Sequence, residues 1–213
     1  MRRPHEEIAY VFLSGDAGAS PAVPAGALVI AADGGAERAL AAGLAVDLAV
    51  GDLDSIAPET LTALEHAGTW IERHPVAKDK TDLELALDAA LEAGARRIVV
   101  VGGAGGRLDH LLGGLLLLAA DVYAVAEIDA LLGPASIHAI RGTRTLAGAP
   151  GETISLLAVG GSARGVRTSG LRYPLRGETL AAGTSRGVSN VFESAKIRIS
   201  VVEGVLLAVR PGS

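Results

Sequence analysis

Over its first 130 residues the chain alternates five short apolar runs with four stretches of helical spacing, and this alternation narrows the choice of fold more than any other feature. The runs are residues 9–13, 28–32, 48–50, 69–72 and 98–101, and four of them are followed within two residues by Gly or Asp. Runs this short and continuously apolar suit strands covered on both faces, as in a parallel sheet. Between them, residues 36–42, 58–67, 81–93 and 109–120 have helical patterning. The expectation is an α/β domain with a largely parallel sheet over residues 1–130.

The third helical stretch has the best-defined start. Thr81 and Glu84 stand at capping-box spacing, so Thr81 is the expected N-cap and Glu84 the N3 residue. Leu83, Leu87, Ala90 and Leu91 then recur on one face, and Gly94 supplies a stop.

Beyond about residue 136 the pattern changes to strand-like runs separated by Gly, Pro and Ser. Residues 136–140, 153–159, 196–202 and 205–209 are the strand candidates, with Glu203-Gly204 expected as a tight hairpin turn between the last two. A second domain is expected over residues 131–213, all-β and sandwich-like, joined around residues 128–135. Aspartate usage changes at the same place: all eleven aspartates lie at or before Asp129, while glutamates continue to Glu203.

Composition excludes several functions. A net charge of −5 opposes binding to a nucleic-acid backbone, which needs a basic surface. The absence of cysteine removes disulfide scaffolds, zinc–thiolate sites and thiol nucleophiles. The longest apolar run, residues 111–120, contains two glycines and is about half a bilayer span. Residues 1–7 carry charge where a signal peptide would be apolar, so a soluble, cytoplasmic chain is expected.

Four polar clusters fall just after the expected strands or at the start of expected helices. They are Asp33-Gly34-Gly35, Gly51-Asp52-Leu53-Asp54-Ser55, Lys78-Asp79-Lys80-Thr81-Asp82, and the run Gly102 to His110 that contains Gly105-Gly106-Arg107-Leu108-Asp109-His110. Open α/β sheets bind ligands at this edge. In an extended segment Asp52 and Asp54 project to one side, where both carboxylates could meet one hard cation such as Mg2+. The alternative is a solvated turn with Ser55 capping a helix. Further aspartates at the ends of neighbouring elements favour the metal, because clustered carboxylates repel one another without a cation.

The mixed-charge cluster adjoins a helix N-terminus that can receive an anion, with Asp79 or Asp82 near a metal and a lysine toward phosphate. The same charges could instead only solubilise an exposed loop. The glycine-rich loop admits phosphate close to its backbone, yet lacks GxxxxGK[ST] and does not continue as GxGxxG, because Leu108 stands in the last glycine's place. Arg107 is the expected cation for transferring phosphates. His5, His66, His74 and His138 have no mutual metal-ligand spacing, and Trp70 reads as core.

In order and spacing these strings resemble the thiamine pyrophosphokinase family. Asp33-Gly34-Gly35-Ala36, Gly51 to Ser55, Lys78 to Glu84 and Gly105 to His110 carry the resemblance, with Gly170-Leu171-Arg172-Tyr173-Pro174-Leu175 and Gly187-Val188-Ser189-Asn190 further on. The resemblance implies an α/β catalytic domain, a β-sandwich domain and a homodimer with active sites between subunits. It implies transfer of diphosphate from Mg2+-bound ATP to the hydroxyl of thiamine, without a covalent enzyme intermediate.

Carried onto this chain, the resemblance makes Asp52, Asp54, Asp79, Asp82, Arg107 and Asp109 the catalytic set. Asp52, Asp54 and Asp79 would hold the metal, with Asp82 the alternative to Asp79. ATP would meet Asp33, Gly34, Gly35, Lys78, Thr81, Gly105, Gly106, Arg107 and His110. Thiamine would meet Ser189, Asn190 and Asp109, the first two from the partner subunit. Gly114 and Val46 stand where relatives often carry Asn and Pro. With no Trp in the β domain, any ring stacked on thiamine would be Tyr173 or Phe192. Two rivals are a diphosphokinase for another alcohol, such as a hydroxymethylpterin, and a non-catalytic thiamine or nucleotide sensor.

Overall fold

The computed structural model describes residues 7–15, 20–103 and 106–212, which divide into two compact units. The first comprises Met1–Gly114 with Ala130–Gly133, and the second Leu115–Asp129 with Pro134–Ser213.

In the first unit the chain runs β1 (Ile8–Phe12), β2 (Leu28–Ala32), α1 (Gly35–Ala41), β3 (Leu48–Gly51), α2 (Pro58–Ala67), β4 (Trp70–Arg73), α3 (Asp82–Glu92) and β5 (Arg97–Gly102). The strands lie in the order β4-β3-β2-β1-β5, all parallel. β5 returns to the far side of β1, so the strand order reverses there, the position at whose carboxyl edge open α/β sheets bind ligands. Phe12, Ile30, Ala31 and Val50 are fully buried, as their runs require. α1 reaches the sheet through Gly35, Ala36 and Ala39, all buried and small enough for close approach. α3 buries Ala86, Leu87 and Ala90 against β1, β2 and β3.

The cap of α3 forms as its spacing predicts: the Thr81 side chain accepts from the Glu84 N–H at 3.3 Å. β4 departs from expectation. It is the edge strand, it is largely exposed, and Trp70 is 71% exposed rather than core. An edge strand has one neighbour to cover it, so the apolar run marks its place but not its burial.

α4 (Leu108–Leu118) crosses the division of the chain, as does β6 (Glu127–Leu132); a short 3-10 turn at Asp121–Tyr123 lies between them. The second unit continues with β7 (Ala135–Ile140), β8 (Thr143–Ala147), β9 (Thr153–Ser169), β10 (Arg176–Leu180), β11 (Asn190–Val191), β12 (Lys196–Ser200) and β13 (Glu203–Arg210). Its pairings are antiparallel: β7 with β13, β13 with the first part of β9, and the last part of β9 with β10 and β12, which in turn pairs with β8. The seventeen-residue β9 therefore serves two sheets. Gly160 and Gly165, at φ 73° and 63°, turn its backbone between them.

Ile154, Leu156, Val166, Phe192, Ile199 and Leu206 belong to the core of this sandwich-like unit. Gly204 takes the left-handed backbone expected of a turn, φ 87°, but the strands on either side do not form a hairpin. β12 and β13 each pair with β9, on opposite edges. This unit also buries an ionic group. Asp129 Oδ1 accepts from His138 Nδ1 at 2.7 Å and from Arg144 Nη1 at 2.7 Å, and Arg144 Nη2 lies 3.3 Å from Glu127.

Candidate active site

The residue after β2 is Asp33, and the residues after β3 are Asp52, Leu53, Asp54 and Ser55, so parallel neighbours deliver both groups to the carboxyl edge. Each of Asp33, Asp52 and Asp54 has a carboxylate oxygen within 4.8 Å of one on each of the others. The convergence of Asp52 and Asp54 does not come from an extended backbone. Leu53 between them is left-handed, φ 62°, with its own side chain in the core. The Asp54 N–H then turns back to Asp52 Oδ1 at 3.3 Å.

Asp33 is also left-handed, φ 47°, a conformation that a short polar side chain tolerates. Its Oδ2 accepts a short hydrogen bond from Ser55 Oγ, while its Oδ1 is buried and has no hydrogen-bond partner among the described residues. Gly51 lets these groups close up: a Cβ there would lie 2.9 Å from Asp82 Oδ1 and 3.3 Å from the Asp33 Cβ.

Lys78 answers part of this negative charge. Its Nζ lies 2.9 Å from Asp82 and 3.4 Å from Asp52, and the side chain is mostly buried. Burial works against the ammonium, but the carboxylates of Asp82 and Asp52 more than offset it and raise its pKa. Asp52 titrates below the ordinary range, chiefly through the Asp54 backbone N–H and against its own burial, with Lys78 assisting. Asp54 is pushed up, first by the charge of Asp52, then by desolvation and by Asp33. One carboxyl resisting ionisation beside two others is what an uncompensated acidic cluster produces.

Asp79, expected among the metal ligands, is exposed and outside this group, and Asp33 stands in the third place. Asp82 faces Lys78, Thr81 caps α3, and Lys80 is drawn off to Asp88 at 2.6 Å. Gly34 and Gly35 open α1, with Gly34 tight against Ser55. Arg107 and Asp109 form an exposed bidentate pair at 2.6 and 3.2 Å, which holds the Asp109 carboxyl down at about 2. Gly106 is left-handed and His110 exposed; Gly105 lies outside the described residues.

In the second unit Ser189 is left-handed, φ 58°, and its N–H donates to Ser155 Oγ at 3.1 Å. Asn190 is 6% exposed and bonded to its own chain. Of the two aromatic candidates, Tyr173 is 63% exposed, whereas Phe192, at 1%, is core and offers no face to a ligand. Ser55 as the partner of Asp33, and Lys78 as the counter-charge of Asp52, escape sequence reasoning because each bond is set by a fold-level approach of separate loops.

The site defines a class: an α/β unit with acidic groups for a hard cation at its sheet edge, followed by an antiparallel β unit, as in a metal-dependent enzyme acting on phosphates. Comparison with known proteins is more specific. Residues 23–127 match the family model "Thiamin pyrophosphokinase, catalytic domain", and residues 137–206 match "Thiamin pyrophosphokinase, vitamin B1 binding domain". The thiamine pyrophosphokinase of Bacillus subtilis (strain 168) is 30% identical over 193 residues, 86% of each chain. A crystal structure of thiamine pyrophosphokinase from Bacillus subtilis superposes with a TM-score of 0.81 at 27% identity, over 97% of this chain and 99% of that one. The protein from Geobacillus thermodenitrificans gives 0.78 at 29%, over 97% of both. The chain belongs to the thiamin pyrophosphokinase family.

Proposed function

We propose that the chain transfers the diphosphoryl group of ATP to the hydroxyl of thiamine, giving thiamine diphosphate and AMP, with Mg2+ as the metal. Beside family membership, one observation carries the reading: the buried Oδ1 of Asp33, which has no hydrogen-bond partner among the described residues, is grouped with Asp52 and Asp54. The donor set fits the ion, because all three are carboxylate oxygens, the ligands a hard divalent cation prefers. Asp33, Asp52 and Asp54 would hold it, and when bound it neutralises charge on the phosphates.

The chain's own residues do the rest. Lys78 offsets Asp52 and Asp82 and keeps the cluster compact before substrate arrives. Arg107, exposed and paired with Asp109, presents a planar donor set suited to phosphate oxygens. In the reaction the thiamine hydroxyl oxygen attacks the β-phosphorus as its proton passes to a neighbouring carboxylate, the bond to the α–β bridging oxygen breaks, and AMP leaves with that oxygen. Such transfer depends on positioning and charge neutralisation more than on covalent catalysis.

The reading extends to a homodimer. α4 supports it, since Leu108, Leu112 and Leu116 recur every fourth residue and are all exposed. Leu112→Glu is expected to shift the mass measured by light scattering toward the monomer. ATP as donor fits a cytoplasmic location, and among the described residues no helix is long and apolar enough to cross a membrane.

The decisive assay is AMP release with a panel of acceptors. Thiamine is expected to support turnover, and Asp54→Asn to reduce it by about 100-fold or more with an unchanged circular dichroism spectrum. Release with a hydroxymethylpterin and none with thiamine would overturn the acceptor. Near-normal turnover of Asp54→Asn would overturn the metal assignment.

A further inference from the structure

Segments 170–173 and 190–193 run antiparallel as a short ladder. The Arg172 N–H donates to Val191 O at 2.9 Å, the Glu193 N–H to Gly170 O at 2.8 Å, and Leu171 bridges Phe192 between them. At Tyr173 the partner changes from backbone to side chain. Asn190 Oδ1 accepts the Tyr173 N–H at 3.0 Å, and Asn190 Nδ2 donates to Tyr173 O at 2.8 Å. The carboxamide thus stands in for a peptide group and adds one rung. Its Oδ1 also takes the Val191 N–H at 2.9 Å, so both acceptor sites are used within the chain.

The residue so pinned is an unusual surface tyrosine. Both polar groups of its backbone are tied, and Pro174 behind it restricts its ψ to extended values. Its ring nevertheless stays largely exposed. A ring on a fixed backbone loses little conformational freedom when another ring settles on it, which favours binding.

We propose that Asn190 is a positioning residue rather than a ligand: its carboxamide fixes the backbone of Tyr173, the exposed one of the two rings that the family resemblance sets against thiamine. This rests on the acceptor reading above for the ligand, but not for the clamp. The left-handed turn at Ser189 completes the arrangement, because it starts the strand that carries Asn190. Aspartate cannot replace the amide, since it keeps the acceptor and loses the donor to Tyr173 O.

Two measurements separate the parts. In the ligand-free protein, hydrogen exchange of the Tyr173 amide is expected to quicken by about 10-fold or more in Asn190→Leu, the fold expected for losing one net hydrogen bond, with β7 and β13 unchanged. Unchanged exchange at Tyr173 overturns the clamp, whatever the substrate. In turnover, Tyr173→Ala and Asn190→Asp are each expected to raise KM for thiamine about tenfold while KM for ATP and kcat hold, the scale of one aromatic contact. In the Tyr173→Ala background, Asn190→Asp should add less than about twofold, because both changes remove the same contact. Effects that multiply, or a raised KM for Asn190→Asp with none for Tyr173→Ala, make Asn190 a direct ligand and overturn the proposal. A wild-type chain that leaves thiamine untouched sinks the acceptor reading, while the exchange result still decides the clamp.

Discussion

Gly35→Ala tests how α1 is seated, because the same substitution has a different sign elsewhere in the chain. A Cβ on Gly35 would lie 1.9 Å from Phe12 O, 2.5 Å from Phe12 C and 3.0 Å from Leu13 N. All three are backbone atoms at the end of β1, and Phe12 is fully buried, so no side chain can swing aside. Reaching even 3.0 Å from the carbonyl requires about 1.1 Å of separation between the first turn of α1 and β1. That movement loosens Ala36 and Ala39, both fully buried, and pulls on Asp33 two residues upstream. Alanine's better helix propensity recovers about 1 kcal/mol, so a net loss of about 2–3 kcal/mol is expected. Gly113 sits inside α4 with nothing within 4 Å of its would-be Cβ, and Gly113→Ala should stabilise by up to ~1 kcal/mol. Gly43 is equally open but left-handed at φ 73°, and Gly43→Ala should cost about 1 kcal/mol through strain alone. Urea unfolding followed at 222 nm reads all three, since α1, α2 and α3 lie in the first unit. A Gly35→Ala variant as stable as Gly113→Ala would refute the seating argument.

Lys78→Met should tighten divalent-cation binding several-fold in calorimetry while lowering turnover, because the ammonium competes with a cation for Asp52 but also balances Asp82. Asp129→Asn should cost about 3 kcal/mol at neutral pH, because it leaves the buried Arg144 guanidinium without its main partner. The same variant should lose part of the acid limb of the stability curve. Burial pushes the Asp129 carboxyl up, but bonds from His138 and Arg144, with Glu127 also facing Arg144, hold it well below the usual range. Its contribution is therefore present above the unfolded value near ~3.9 and is lost as pH falls below that through the depressed folded value. Trp70→Ser should change the urea midpoint by less than ~0.5 kcal/mol equivalent, despite removing the sole tryptophan, because the ring is mostly in solvent.

The parts of the fold legible in sequence are those where one physical demand controls several adjacent residues. β1, β2, β3 and β5 are buried on both faces, so each is written as a continuous apolar run. The start of α3 is written as Thr81 and Glu84 because its cap is local. β9 is legible only in its first half, since Gly160-Gly161 reads as a break when it is a bend that lets one strand serve two sheets. The supposed hairpin at Glu203-Gly204 fails for a related reason. A turn residue fixes backbone conformation, not which strand lies alongside, and β9 comes between the two arms. At the site, the aspartates were visible as strings after strands. Which of them converge was not visible, because that depends on the left-handed Leu53 and on the β2–β3 pairing that sets Asp33 beside Asp52. Asp129 carried no signal at all: its partners His138 and Arg144 come from separate strands.

Three residues other than glycine take left-handed backbone among those described, and each adjoins a candidate site. Such a conformation costs about 1–2 kcal/mol for a side chain with a Cβ, so each needs something that holds it. For Asp33 it is the hydrogen bond from Ser55 to its carboxylate. For Ser189 it is the N–H bonded to Ser155 across 34 residues of chain. Leu53 has no polar group to offer; what holds it is burial to 4% exposure, and burying a leucine is worth about 1.5–3 kcal/mol, enough to outweigh the strain. The consequence is specific to that position. With its side chain anchored inward and its backbone reversed, Leu53 lets the Asp54 N–H turn back to Asp52 and sets a carboxylate oxygen of each within 4.8 Å of the other. The raised pKa of Asp54 is the electrostatic trace of that constraint. A hydrophobic anchor between two carboxylates therefore does what a polar turn residue could not: it holds charge repulsion in the folded state, where a cation can relieve it.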